Sequence, residues 1–524
     1  MILFVVGIAG AGTMTVELAA VRLLAPWYGA SSGVWTNVIG VILLALSVGY
    51  LVGARMSRTG DARKKLGRVL LFAALLTVWM PLGARPVAEF FLPSGLALDE
   101  AAGLLVMGSL AAALVLFLPA AAMLGCIGPL AVEAVQVARG GHAGDAGGRV
   151  LCASTVGSLI GTFGTTHLFL PSFGINGTFL GASIAIALAG AVVLARQGAP
   201  KGATPLLLAA VTGGLVFSRY SPPEARPGTE VLAQRQSPYQ AIRVVEHEDG
   251  TRWLQVNESL DSFQSVWQAE PGLLAHGHYY NLFALPPLWE SPADASWELL
   301  VLGLGAGTAV RVLEGELPAG VELASLGVEI DPEVVRLGEE FFDLERGAGR
   351  EVASGVDARS LLNGLDSERR FDEIVLDAYA NNMEIPAHLS SVEFFREVRN
   401  RLVPGGWFVV NAAGFGLEDP VVDAVARTVA AGFEDKVLAV RVPFSRNCVL
   451  LVRRGAELPV PGSPGWRLPG HAADELLGHL ALPTAWRWVL SAEDDEVLTD
   501  DKNPIDALQR ESVLGGRGRW LESS

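Results

Sequence analysis

Glu329, Asp331, Asp357 and Asp377 set the chemistry open to this chain, because each ends or follows a predicted strand downstream of a glycine turn. The turn reads Leu299-Leu-Val-Leu-Gly303-Leu-Gly305-Ala-Gly307-Thr. About two turns of helix follow, and then Leu326-Gly-Val-Glu329-Ile-Asp331. Glycines in such a turn let the backbone approach a ligand closely. An acid 26 residues after Gly303 can accept two hydrogen bonds from ribose hydroxyls. This is the nucleoside end of a doubly wound α/β domain. Asp357, in Gly355-Val-Asp-Ala358-Arg359, suits an adenine amino group, and Asp377, in Val375-Leu-Asp-Ala-Tyr379, falls near a reacting centre. Converging carboxylates suit a positively charged, adenosine-bearing ligand. Asp331 precedes Pro332 and reads equally well as a helix N-cap.

The elements that must position these acids follow from periodicity. Strands are expected at 299–303, 324–330, 350–354, 372–377, 406–411 and 448–453, alternating with helical stretches. That alternation implies a mostly parallel, Rossmann-type doubly wound sheet with helices on both faces and ligands at the carboxyl ends of its strands. Ahead of it, Ala241-Ile-Arg-Val-Val-Glu and Arg252-Trp-Leu-Gln-Val suggest a small β-rich subdomain within 231–290, followed by a helix ending near Pro286-Pro287. Ser221-Pro-Pro-Glu-Ala-Arg-Pro-Gly reads as a linker. The expected domains are 1–220, 221–296, 297–455 and a C-terminal extension, 456–524.

Half of the chain is built for a different solvent. Hydrophobic residues make up 51% of the 524, and mean hydropathy is +0.38, too apolar for an ordinary soluble protein. Residues 1–220 carry 13 Lys and Arg against 7 Asp and Glu, whereas the remainder carries 26 against 48. Such asymmetry implies a multi-span membrane domain fused to an acidic soluble one. The acidic part repels phosphate, which excludes nucleic acid and leaves small cations as visitors. Spans are expected near 2–24, 34–54, 66–84, 101–131, 150–170 and 175–195. The shorter run 204–218 reads either as a seventh span or, at about 15 residues, as an interfacial or re-entrant segment. Arg55, Arg58, Arg63, Lys64, Lys65 and Arg68 place their loop in the cytoplasm of an inner-membrane protein. Six spans put the soluble domain there too and seven would put it outside, and the supply of an adenosyl cofactor favours the cytoplasm. Glu17, deep in the first span, reads either as a partner of Arg22 or as a contact for a cationic substrate. Cys126, Cys152 and Cys448 have no metal or redox spacing, and no metal is expected.

Together these residues resemble the polyamine aminopropyltransferases, in particular multi-span membrane proteins fused to a spermidine synthase-like domain with a class I methyltransferase-like fold. The likeness rests on Glu17-Leu-Ala-Ala-Val-Arg22-Leu-Leu-Ala-Pro26 in the membrane half. In the soluble half it rests on Ser237-Pro-Tyr239-Gln240, the Gly303 turn, Val328-Glu329-Ile-Asp331 and Asp357-Ala-Arg359. Ile385-Pro-Ala-His388, Leu402-Val-Pro-Gly405-Gly406 and Leu498-Thr-Asp500-Asp501 complete it. The resemblance implies aminopropyl transfer from decarboxylated S-adenosylmethionine to putrescine or another amine. It assigns Asp377 to catalysis, and Gly303, Gly305, Gly307, Glu329, Asp331, Asp357, Ala358 and Gln240 to the nucleoside. Gln264, Tyr279 and Tyr379 line the amine site, and a homo-oligomer is expected. His388 and the paired acids at 500–501 read equally as loop-bracing or as ligand contacts.

Two departures stand out. The family's Asp-x-x-Asp appears as Asp377-Ala-Tyr379-Ala380, and its Tyr-His/Gln-Glu as Tyr279-Tyr280-Asn281, so two acids are absent. Each would contribute about 1.5–3 kcal/mol to holding an ammonium group. Three readings therefore stay open: an aminopropyltransferase, an S-adenosylmethionine-dependent methyltransferase, and a non-catalytic adenosyl or polyamine sensor coupled to a transporter-like bundle.

Overall fold

The computed structural model describes residues 1–512 except 29–31, 93–97, 141, 198–226, 238, 257–262, 276–277, 291–295, 380–383, 444, 461–462, 464–479, 481 and 492–495. The 204–218 run, most of the expected linker and Ala380 lie outside the described residues. The chain divides into two compact units, one helical and one α/β.

The helical unit contains α1 (Ile2–Tyr28), α2 (Ser32–Ser57), α3 (Ala62–Phe91), α4 (Leu98–Leu116), α5 (Leu118–Arg139), α6 (Ala143–Gly164) and α7 (Leu170–Ala195). Five described helices are long and apolar enough to cross a membrane: Ile2–Tyr28, Gly33–Ser57, Ala62–Phe91, Leu118–Arg139 and Ser172–Ala195. The run expected as a single span at 101–131 is divided at Phe117 into α4 and α5. Pro119 removes the N–H that would have bonded one turn back, which ends the regular ladder there. The run at 150–170 occupies α6 and a π-helical turn, Thr165–Phe169. At Gly174, with φ of 65°, the backbone leaves helical geometry and separates the last two apolar segments. α1 is the central helix and touches all six others. It meets α6 almost backbone to backbone: a Cβ on Gly157 would fall 1.9 Å from the Gly7 carbonyl oxygen.

The α/β unit begins with a four-stranded sheet in the order β1-β2-β3-β4, where β1 is Thr229–Gln236, β2 Ala241–His247, β3 Arg252–Val256 and β4 Ser265–Trp267. A 3-10 turn, Tyr279–Ala284, leads into α8 (Leu285–Trp289). Pro286 and Pro287 therefore open a helix instead of closing one, since proline fits the first helical turn, where its missing N–H has no partner to lose.

The main sheet contains β5 (Ser296–Leu302), β6 (Glu322–Glu329), β7 (Arg350–Ser354), β8 (Phe371–Leu376), β9 (Leu402–Ala413), β10 (Val437–Arg441), β11 (Asn447–Arg453) and β12 (Trp486–Val489). Their order is β12-β10-β11-β9-β8-β5-β6-β7. The run from β9 to β7 is parallel, and β11, β10 and β12 are added antiparallel. This is the mixed, doubly wound sheet of a class I methyltransferase-like fold, reached from an expectation of mostly parallel strands. Four helices follow strands in the parallel part: α9 (Thr308–Glu316), α10 (Pro332–Phe341), α11 (Ala358–Gly364) and α12 (Val392–Arg401). A fifth, α13 (Pro420–Phe433), follows β9. Alternate strand residues feed two cores, with Leu300, Leu302, Ile374 and Phe408 on one face and Leu299, Val301, Val375 and Val409 on the other. Burial on both faces explains why these strands read as continuous apolar runs. The order reverses at β5, which has β6 on one side and β8 on the other, and it is outside the strand ends at such a switch point that open α/β sheets bind ligands.

Candidate active site

The glycine turn leaves β5 and enters α9 at that switch point. Gly303 has φ of 91°, and a Cβ there would fall 2.4 Å from the Asp377 carbonyl oxygen. The turn is therefore glycine because the end of β8 presses against it, as well as for any ligand. Its outer side is fixed by β4: the Ala306 N–H donates to Ser265 Oγ at 2.8 Å, and Val266 exchanges two 2.9 Å hydrogen bonds with Thr308 Oγ1. Gly307, in the left-handed region, is the residue before α9.

Glu329 at the end of β6 faces the turn. Its carboxylate accepts from the Gly305 N–H at 3.0 Å and from the Asp331 N–H at 3.0 Å. Burial outweighs these donors and pushes the carboxyl up to about 7. Asp331 is fully buried and accepts from the Glu333 N–H at 3.0 Å, the N-cap of α10.

Asp377 follows β8 directly, and its N–H donates to the Leu302 carbonyl at 2.8 Å, which extends the ladder by one residue. One carboxylate oxygen accepts from the Tyr279 hydroxyl at 3.2 Å and the other from the Asn411 amide at 2.7 Å. Burial again dominates and lifts the carboxyl to about 7, with the Glu329 charge adding to it. Burial, and then the Asp377 charge, push the Tyr279 hydroxyl well above its ordinary range, so it acts as a donor. Asn411 is oriented in turn: its Oδ1 accepts from Asn447 Nδ2 at 2.7 Å, and Asn447 Oδ1 accepts from Ser445 at 2.8 Å. The Asn411 NH2 is thereby aimed at Asp377.

Tyr379 turns its hydroxyl onto β9, donating to the Asn411 carbonyl at 2.6 Å and accepting from the Ala413 N–H at 2.9 Å. It braces the strand that carries Asn411. The Gln264 carbonyl accepts from the Tyr280 hydroxyl at 2.7 Å, tying the start of β4 to the Tyr279-Tyr280 pair. Gln240 closes a turn between β1 and β2, its carbonyl accepting from the Ser237 N–H at 2.9 Å.

On the far side of Glu329, Asp357 caps α11, accepting from the Ser360 N–H at 2.9 Å, and Ala358 is the buried first residue of that helix. His388 Nε2 lies 2.8 Å from the other Asp357 oxygen. Partial burial opposes the Asp357 charge, but the Ser360 N–H and His388 outweigh it and hold the carboxyl below the usual range. Asn411, Asn447 and Ser265 were not singled out from the sequence. Only the polar Asn411 inside the apolar Trp407-Phe-Val-Val-Asn-Ala run offered a signal.

No family model matches the chain. A probable polyamine aminopropyl transferase of Bifidobacterium longum is 30% identical over 310 residues, 54% of this chain. The chain spans 64% of that relative's length. A polyamine aminopropyltransferase of Streptomyces coelicolor is 25% identical over 486 residues, covering 88% of this chain and 85% of its own. A polyamine aminopropyltransferase of Pyrobaculum arsenaticum is 31% identical over 216 residues, 39% of this chain and 68% of the relative. This chain belongs to the polyamine aminopropyltransferase family.

Within that family, the structure gives one of the two departures a local role. Asn281, standing where an acid is usual, is buried, and its amide makes two 2.9 Å hydrogen bonds with the Leu274 backbone. It closes a turn in place of offering a charge to an ammonium group.

Proposed function

We propose that the chain is a membrane-anchored aminopropyltransferase that moves the aminopropyl group of decarboxylated S-adenosylmethionine onto putrescine or another amine. The observation that carries this reading is the Asp377 carboxyl, partly buried beside the glycine turn and held by the Tyr279 and Asn411 donors, where burial lifts it to about 7. A base with that pKa matches the task, because the acceptor must attack as a neutral amine.

In this reading Glu329 holds the ribose and Asp357 the adenine, with the Gly303–Gly307 backbone against the nucleoside. The amine nitrogen attacks the carbon bonded to the sulfonium, forming the C–N bond as the C–S bond breaks. The bonding pair stays on sulfur, and methylthioadenosine leaves uncharged. The proton released from the amine passes to Asp377. Orientation supplies much of the rate, since both reactants must be held in line. The missing second acids favour an acceptor other than a simple diamine, and keep a methyltransferase or sensor as competing outcomes.

The test is to incubate the detergent-purified full chain with decarboxylated S-adenosylmethionine and a panel of amines, and separately with S-adenosylmethionine. Methylthioadenosine with an aminopropylated amine is expected. S-adenosylhomocysteine would instead establish a methyltransferase, and nucleoside binding without either product would leave a sensor.

A further inference from the structure

Arg359, the second residue of α11, stands at the centre of a network that the transfer chemistry does not use. Its Nη1 and Nη2 donate to the two Asp500 oxygens at 2.7 and 2.8 Å, and its Nε and Nη2 to the two Glu397 oxygens at 2.9 and 2.7 Å. Its Nη1 also donates to the His388 carbonyl at 3.1 Å. The guanidinium is therefore gripped by two carboxylates in the bidentate geometry that fixes its plane as well as its position. Asp500 itself is anchored through its N–H, which donates to Glu393 of α12 at 3.0 Å.

The same C-terminal segment holds the His388 loop from another side. Asn503 Nδ2 donates to the Ala387 carbonyl at 2.8 Å and to Ser390 Oγ at 3.1 Å, and the Val392 N–H donates to the Leu498 carbonyl at 2.8 Å. Residues 498–503 thus clamp the stretch 387–392 at its start, its middle and its end. What that stretch presents is the His388 imidazole, half-exposed and 2.8 Å from the Asp357 carboxylate.

We propose that Asp500 and Asn503 are positioning residues for the base end of the nucleoside site: they set the 387–392 loop so that His388 orients Asp357 toward the adenine edge. The inference rests on the reading that Asp357 faces the base. It makes a segment more than 100 residues downstream part of what distinguishes adenine from other purines. Asp357 alone, as a helix cap, has one oxygen committed to Ser360, so the rotation of the other depends on His388. His388 in turn depends on a loop with almost no regular structure of its own, a single 3-10 turn at Ala387–Leu389.

The test uses the full chain in detergent and two probes, 5′-methylthioadenosine and 5′-methylthioinosine, which differ at the amino position of the base. The unmodified chain is expected to bind the adenine form at least about tenfold more tightly, the value of one well-placed hydrogen bond to a charged group. Asp500→Asn should lose most of that discrimination while its thermal midpoint changes little. His388→Ala, at a half-exposed position, should lose it to the same extent and serves if the Asp500 variant folds poorly. Because Asp500 acts through His388, the double variant should be no worse than either single one. Full discrimination in His388→Ala, or multiplying losses in the double variant, would overturn the positioning role. Failure of the unmodified chain to bind either probe would instead remove the nucleoside site on which the inference stands. Lys502→Ala, whose exposed side chain reaches Glu496, is the matched control and should bind both probes normally.

Discussion

Asp377 and Glu329 are both partly buried acids whose carboxyls burial lifts to about 7, and opposite consequences follow for activity and for stability. In the proposed reaction Asp377 is the base and must be ionised, so transfer should rise with pH along a limb centred near 7. Asp377→Asn should cut turnover by roughly 100- to 10,000-fold, the usual range for general base catalysis, while methylthioadenosine affinity stays within about threefold. For stability the sign reverses. An unfolded Asp ionises near 4, whereas the folded group keeps its proton until about 7, so its contribution is fully present below 4 and falls as pH rises between those values. The difference of about three pH units corresponds to about 4 kcal/mol. Asp377→Asn should therefore raise the thermal midpoint at pH 8 and change it little at pH 4; a lower midpoint at pH 8 would contradict the burial argument. In the same proposal Glu329 holds the ribose, and a carboxylate accepts hydroxyls best when ionised. Methylthioadenosine affinity should accordingly increase from pH 5.5 to 8, and Glu329→Gln should flatten that dependence in a titration calorimetry series.

At the scale of elements, the site is a junction of strand ends. β5, β6 and β8 deliver the glycine turn, Glu329 and Asp377 at one edge, and β9 reaches past them to bring Asn411 to the same place. β11 lies antiparallel to β9, with Asn447 opposite Ala413, and so carries the amide that orients Asn411. Asn411 lowers the Asp377 pKa by donating to its charged form. Asn411→Ala should then move the pH limb for transfer above its original position and reduce turnover at pH 7 by about tenfold, with nucleoside affinity nearly unchanged. An unshifted limb would show that Asn411 merely fills space. None of this was visible as a motif, because Asn447 and Asn411 are 36 residues apart and meet only through strand pairing.

For the whole molecule, the charge and hydropathy of the two halves call for two solvents. Five described helices have the length and apolarity to cross a bilayer, and apolar side chains such as Phe4, Leu51, Leu151, Ile160 and Phe163 are exposed on the helical unit. In water such surface would cost about 25 cal/mol per Å2 and drive aggregation. The full chain is expected to stay with membranes through salt and alkaline carbonate washes and to be released by detergent. Release by carbonate alone would mean that the helices do not span. Residues 221–524, by contrast, carry the acidic excess, 48 Asp and Glu against 26 Lys and Arg.

The sequence alone determined the α/β class, the glycine turn and the acids at the strand ends, because these depend on local periodicity and on residues within about 30 positions of one another. It also determined the apolar half, since hydropathy is a property of composition. Only the tertiary structure decided what each acid touches. It made Asp331 a buried cap, gave Asp357 a His388 partner, turned the Tyr379 hydroxyl onto β9, and placed Asn411 beside Asp377. It also added β10 and β12 to the sheet edge, and divided an apolar run at Phe117. These outcomes rest on long-range pairing and on hydrogen bonds that buried polar groups must complete, and neither leaves a periodic trace in the chain.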